Sequence, residues 1–186
     1  MGPDTVKRQA ARAMDATISR MAAQVSFDVT SGVDLQEVDN AVNQARKEIA
    51  QRYDFKGSKS SIEFKKTENL LELIADDTFK MEAVWDILLT RMVRRGVPVK
   101  NLTPSDIEAI GGGLVKRKVE LQQGVPTEAA KAIVKFLKDQ KLKAQAAIQS
   151  DQVRVSSTSK DELQNAIRLL KAHDFGIELQ FGNYRE

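Results

Sequence analysis

The feature that most limits the fold is an order of secondary structure that the chain carries twice. In the first copy, a strand at 26–31 precedes a helix that begins after Asp34, where the acidic side chain can cap free backbone N–H groups. A hairpin at 62–73 follows, and then a second helix that begins at Asp77 or Thr78. Apolar residues alternate in the strands and recur every three or four positions in the helices, which is typical of elements that bury one face.

The same order recurs roughly 80 to 90 residues further along the chain, as expected for a duplicated supersecondary unit. A strand at 115–122 precedes a helix that opens near Thr127, a hairpin at 143–155 and a helix that follows Ser159. A last strand is predicted at 178–181. The order βαββαβ predicts an antiparallel sheet with both helices on one face. We therefore predict an α+β fold with two tandem ferredoxin-like units, each with an open sheet face.

The best linker candidate lies at 97–113, which combines two prolines with three consecutive glycines. We accordingly predict a first domain at 24–103, a linker at 104–113 and a second domain at 114–186. The triple glycine does not match a phosphate-binding loop, because no Gly-Lys-Ser/Thr follows it.

The composition excludes several kinds of catalytic site. The chain has no cysteine and a single histidine, His173, which excludes disulfides, cysteine-based zinc sites and thiol nucleophiles. His173 falls in the last turn of a helix, where a cation complements the dipole. We therefore expect neither an enzyme nor a cofactor, and a cytoplasmic protein in a reducing compartment. No apolar run is long enough to span a membrane.

Positive charge is concentrated in one part of the chain. The net charge is +3, but residues 114–160 hold ten Lys or Arg against four acids, which makes this segment +6 and leaves −3 for the rest. A concentrated positive field attracts polyanions. A helix face kept charged for solubility is the alternative explanation.

Three segments are candidate binding sites. The first is the helix-to-strand turn at 52–58, where aromatic rings can stack on bases and cations can meet phosphate. Its candidate ligand-binding residues are Arg52, Tyr53, Phe55 and Lys56. Alternatively, the turn only ends the helix, with both rings closing the edge of the core and Arg52 paired with Asp54.

The second segment is 138–154, where polar side chains share one face of the predicted hairpin. A face of Lys, Gln and Arg offers donors to phosphates and to base edges, although a solvated face has the same composition. The third segment is the C-terminus. Trp85 is not a candidate, because it is predicted to lie in the core. The candidate residues of these two segments are Lys138, Lys141, Lys143, Gln145, Gln152, Arg154, Tyr184 and Arg185.

Four ordered segments together resemble the bacterial YajQ family of nucleotide-binding proteins. They are SFDVTSGVDLQEVDNAV from residue 26, RYDFKGS at 52–58, DQKLKAQAAIQSDQVRV at 139–155 and LQFGNYR at 179–185. The resemblance implies tandem ferredoxin-like domains that exchange their N-terminal strands, so that 26–31 completes the second sheet and 115–122 the first. It also implies nucleotide binding, with cyclic dinucleotides and RNA as ligands and no enzymatic activity. Members begin just before the first segment, so residues 1–23 are interpreted as an N-terminal extension.

Three functions stay open at this point. The leading one is a regulator that binds a nucleotide, for instance a cyclic dinucleotide, and changes its affinity for a partner. The second is an RNA-binding protein whose basic sheet surface follows the phosphates. The third is a protein-interaction scaffold whose positive face meets an acidic partner.

Overall fold

The computed structural model describes residues 24–186, in which there are four α-helices and nine β-strands. The helices are α1 (Leu35–Gln51), α2 (Thr78–Arg94), α3 (Thr127–Asp139) and α4 (Lys160–Ala172). The strands are β1 (Val25–Thr30), β2 (Ser61–Lys65), β3 (Leu70–Ala75), β4 (Leu102–Pro104), β5 (Glu108–Ala109), β6 (Val115–Leu121), β7 (Ala144–Gln149), β8 (Gln152–Ser157) and β9 (Gln180–Arg185). The predicted N-terminal extension, 1–23, lies outside the described residues.

The described residues form two compact units. The terminal unit contains residues 24–30, Thr127–Asp174 and Phe181–Glu186. The central unit contains Ser31–Pro126 and Phe175–Gln180. Each unit has one sheet and two of the four helices.

The sheet of the terminal unit has the strand order β7-β8-β1-β9, and β8 pairs antiparallel with both β7 and β1. Phe27 lies opposite Val155, and both are fully buried on the face that α3 and α4 cover. The rings of Phe181 and Tyr184 pack at 6.0 and 6.2 Å from the Phe27 ring, centroid to centroid. The face that the helices cover therefore carries most of the apolar residues of this sheet, and the other face carries most of its polar residues.

The sheet of the central unit has the order β2-β3-β6-β4, and β5 also pairs with β6. Leu71 of β3 lies opposite Val119 of β6, and both are fully buried beneath α1 and α2. Asn101 is also fully buried, and its amide group donates to Ser31 and Gly32 and accepts from the backbone N–H of Glu178. This side chain joins three separate stretches of the central unit.

The predicted α+β class with antiparallel sheets is confirmed, and both strand orders are consistent with ferredoxin-like units. The helix starts are confirmed as well: Asp34 accepts from two backbone N–H groups, Asp77 accepts from the N–H of Lys80, and Ser159 accepts from that of Glu162.

The predicted last strand is present, but its bounds differ: it was predicted at 178–181, and β9 runs from Gln180 to Arg185. The backbone N–H of Glu178 donates to the side chain of Asn101, and its carbonyl accepts from the hydroxyl of Ser31. Side chains take the backbone groups that a neighbouring strand would otherwise use.

Candidate functional site

The uncovered side of the terminal sheet carries polar side chains in three cross-strand rows, which we call the polar face. Strand register fixes the rows, because residues paired across antiparallel strands point to the same side. The rows are Gln145–Ser156–Ser26, Ala147–Arg154–Asp28 and Gln149–Gln152. The structure thus brings the predicted residues Gln145, Gln152 and Arg154 onto one surface.

An ion pair occupies the centre of the polar face. Arg154 donates from Nε and Nη2 to the two carboxylate oxygens of Asp28, at 2.8 and 3.1 Å, and Asn183 donates to the same carboxylate. Asp28 is only 1% exposed. The hydrogen bond from Arg154 lowers the pKa of Asp28, so the carboxyl group stays ionised. Arg154, predicted as a ligand contact, is already engaged in a bidentate contact that joins β8 to β1.

A polar cavity of about 400 Å³ lies at the end of the polar face where β7 begins. The residues that line it include Gln24, Lys143, Gln145, Ser156 and Thr158. The backbone of Lys143 is fixed on both sides, because its N–H donates to Glu162 at 3.0 Å and its carbonyl accepts from Ser157 at 2.6 Å. Its ammonium group has no ion-pair partner among residues 24–186. Among the described residues, the lining thus includes one lysine without an ion-pair partner, together with amide and hydroxyl groups.

The other predicted residues of the terminal unit lie around this face. Lys138 lines a groove of about 280 Å³ between α3 and β7, which Gln145 also borders. Lys141 lies in the turn that follows α3 and has a left-handed backbone, with φ of 53°. Tyr184 and Arg185 line a small cavity of about 90 Å³ beside the Lys160–Glu186 ion pair.

The turn at 52–58 belongs to the central unit. Arg52 donates to both carboxylate oxygens of Asp54, at 2.9 and 2.8 Å, and this contact lowers the pKa of Asp54. Phe55 is buried at the edge of the core, whereas Tyr53 is 88% exposed. In the alternative interpretation, the turn only ends the helix. It is correct for the Arg52–Asp54 pair and for the buried ring of Phe55, but not for the exposed ring of Tyr53. Lys56 is exposed beside them.

Sequence reasoning missed two residues at the start of α2. Phe79 is 81% exposed, and Lys80 donates to the backbone carbonyl of Asp54 and lies 4.8 Å from the centre of the Phe55 ring. We call Arg52, Tyr53, Phe79 and Lys80 the aromatic end of the central unit. The sequence did indicate that Phe79 is exposed, because this residue lies outside the apolar stripe of α2, which begins at Met81.

Trp85 packs partly buried against the central core, which agrees with its predicted place. Within the described part of the chain, no cluster of three or more potential metal ligands occurs. None of the described helices is both long enough and apolar enough to cross a bilayer.

Comparison with known proteins gives a consistent result. Residues 25–185 match the model of a family described as nucleotide-binding protein YajQ-like. A nucleotide-binding protein of Koribacter versatilis is 52% identical over 163 residues, which is 88% of this chain and 98% of the relative. Relatives of the same description from Elusimicrobium minutum and Trichlorobacter lovleyi are 48% and 49% identical, and the matches cover 88% and 87% of this chain and 99% of each relative. The chain belongs to the YajQ-like family.

Proposed function

We propose that this chain is a non-enzymatic, cytoplasmic nucleotide-binding protein that responds to a cyclic dinucleotide and thereby changes its affinity for a protein partner. The observation that carries the proposal is the polar cavity of about 400 Å³ with the free ammonium group of Lys143. Cavities of roughly 300–1,000 Å³ are the usual size for small ligands. The names of the relatives support a nucleotide as that ligand.

The groups at the cavity suit the two halves of a nucleotide. The Lys143 ammonium group and the hydroxyl groups of Ser156 and Thr158 are donors for phosphate oxygens, and the Gln145 amide can both donate to and accept from a base edge. The Asp28–Arg154 pair occupies the neighbouring row of the polar face and holds β8 to β1 there. A surface that is ordered before binding reduces the ordering that binding would otherwise require.

The architecture that we propose is two tandem ferredoxin-like domains, 24–103 and 114–186, joined by a linker at 104–113 and exchanging their first strands. The pairing of β1 with β8 and of β6 with β3 supports the exchange. Because β1 continues directly into the central unit, a ligand on the terminal sheet acts on a strand that is covalently continuous with the other unit.

The experiment that tests the proposal is calorimetric titration of the full chain with cyclic di-GMP and cyclic di-AMP. We expect saturable binding of one of them and an affinity about tenfold lower in Lys143→Ala, because one charge-assisted contact contributes about 1.5 kcal/mol. Lys131→Ala is the matched control, since Lys131 is an exposed lysine on α3 that pairs with Glu128. Equal losses in both variants would leave only a general effect of charge and would refute the site.

The aromatic end favours a second candidate function, the binding of single-stranded RNA. Two rings that are more than four-fifths exposed, Tyr53 and Phe79, lie close to the cations Arg52 and Lys80. Stacking of one base on an aromatic ring contributes about 1–3 kcal/mol. RNA binding would weaken steeply with salt and would be lost in Tyr53→Ala/Phe79→Ala, a variant that retains the cyclic dinucleotide. Absence of heat with either ligand would favour the protein-interaction scaffold.

A further inference from the structure

Strand β7 forms the outer edge of the terminal sheet, with no strand beyond it in the described chain. Hydrogen-bonded and non-hydrogen-bonded pairs alternate along an antiparallel hairpin, and the two-residue turn Ser150-Asp151 makes Gln149–Gln152 a hydrogen-bonded pair. The N–H and C=O groups of Ala144, Ala146 and Ile148 therefore point away from β8. Exposed edges are normally protected by charges, proline or a bulge, because free backbone groups pair with other chains. Between residues 144 and 149 this edge has no charge and no proline.

The corresponding edge of the central sheet is protected. Arg46 donates from Nε and Nη2 to the outward carbonyl of Ile62 on β2, at 2.9 and 2.6 Å. The same strand carries Glu63 and Lys65. Ile62 lies three residues before the last residue of β2, and Ala146 lies three residues before the last residue of β7, so the two positions are equivalent. Equivalent edges of the two units thus differ, and within residues 24–186 only that of the central unit has an arginine bound to it.

The β7 edge is also complementary to itself. Ile148 is 44% exposed, and the groove beside the start of the same strand is lined by Val134, Leu137, Ala144 and Ala146. An antiparallel second β7 would bring Ile148 of each copy beside Ala144 of the other, at this groove. Lys141 and Lys143 precede the strand and Asp151 follows it, so the same arrangement places the basic end of one copy near the acidic end of the other.

We propose that the β7 edge binds a second copy of this chain, with Ala146 on the twofold axis. The two four-stranded sheets then form one continuous eight-stranded sheet. Both copies use the same surface, so the contact closes on itself as a dimer and does not propagate into a filament. The contact does not require a nucleotide, but β7 also borders the polar cavity, so the dimer is tested on the nucleotide-free chain.

Sedimentation of the full chain over a range of concentrations tests the dimer. We expect a reversible monomer–dimer equilibrium that Ile148→Lys weakens at least about tenfold, because a charge at this position would be buried in the groove. Ser61→Lys is the control, since it adds the same charge to the exposed edge strand of the central sheet. A monomer at all concentrations, or equal weakening by the two variants, would overturn the proposal.

Disulfide cross-linking tests the register, and the cysteine-free chain makes every introduced thiol unique. In the proposed register Gln145 of one copy faces Ala147 of the other, in a pair whose Cα atoms are about 4.5 Å apart. Two copies of the same residue are then about 8 Å apart, which is too far for a disulfide.

A mixture of Gln145→Cys and Ala147→Cys proteins should therefore form a mixed disulfide dimer under mild oxidation, and neither protein alone should form a disulfide dimer. Similar yields in all three samples, or no dimer in the mixture, would contradict the pairing.

Discussion

Replacing Arg154 with alanine should destabilise the terminal unit, although the residue lies on a surface that the sequence suggested for ligand binding. The substitution removes both hydrogen bonds to Asp28, whose carboxylate is 1% exposed and would keep only Asn183 among its side-chain donors. Removing one partner of a buried ion pair costs about 3–5 kcal/mol. The side chain of Arg154 is 24% exposed, so we expect about 2–3 kcal/mol after allowing for solvent screening.

Urea unfolding followed by far-ultraviolet circular dichroism measures this cost. The double-mutant cycle with Asp28→Asn isolates the pair, because removing both charges leaves no buried carboxylate without a partner. The double variant should thus lose clearly less stability than the sum of the two single variants. Lys131→Ala, at an exposed ion pair, should cost under about 0.5 kcal/mol. Additive single losses, or a cost for Arg154→Ala no larger than that control, would refute the argument.

Three further predictions concern stability. The folded-state pKa of Asp28 lies below its ordinary value of 3.8, so its contribution to folding stability is present above that pH and is lost as pH falls through the folded-state pKa. Acid unfolding followed by circular dichroism should therefore show a smaller loss of stability below about pH 4 in Asp28→Asn than in the unsubstituted chain. Asn101→Ala should cost about 2–3 kcal/mol in urea unfolding, because the buried carbonyl of Gly32 and the N–H of Glu178 lose a partner; a loss under about 0.5 kcal/mol would show that water replaces the amide. Asp34→Ala should lower stability by about 1 kcal/mol through loss of the α1 cap, and Asp34→Asn, which keeps an accepting oxygen, should recover most of it.

The sequence predicted what depends on neighbours along the chain. The starts of α1, α2 and α4 followed from capping side chains, because a cap and the N–H group that it binds lie within three residues of each other. The hairpins followed from alternation and polar turns for the same reason. The start of the last strand could not be predicted, since Asn101 binds the backbone of Glu178 from 77 residues away.

The candidate site was predicted only in part, for a similar reason. Gln145 was placed on the correct strand and face, whereas Lys143 was predicted within the strand and precedes it. The partner of Arg154 lies 126 residues away, and no local pattern identifies it. In the turn at 52–58, neither period two nor period 3.6 applies. The sequence therefore left open which ring would be buried, and the structure buries Phe55 and exposes Tyr53.

The two units share a strand order, but their open faces differ in how their cations are paired. In the central unit Glu72 contacts both Lys65 and Lys116, at 3.2 and 3.1 Å, and the hydrogen bonds from Lys116 and then Lys65 lower the pKa of Glu72. These lysines are therefore occupied within the sheet. In the terminal unit Asp28 neutralises Arg154, but Lys143, which lines the polar cavity, has no ion-pair partner among the described residues. Because an anionic ligand gains most from a cation that has no protein partner to give up, the proposed site predicts that Lys143→Ala weakens nucleotide binding more than Lys116→Ala does.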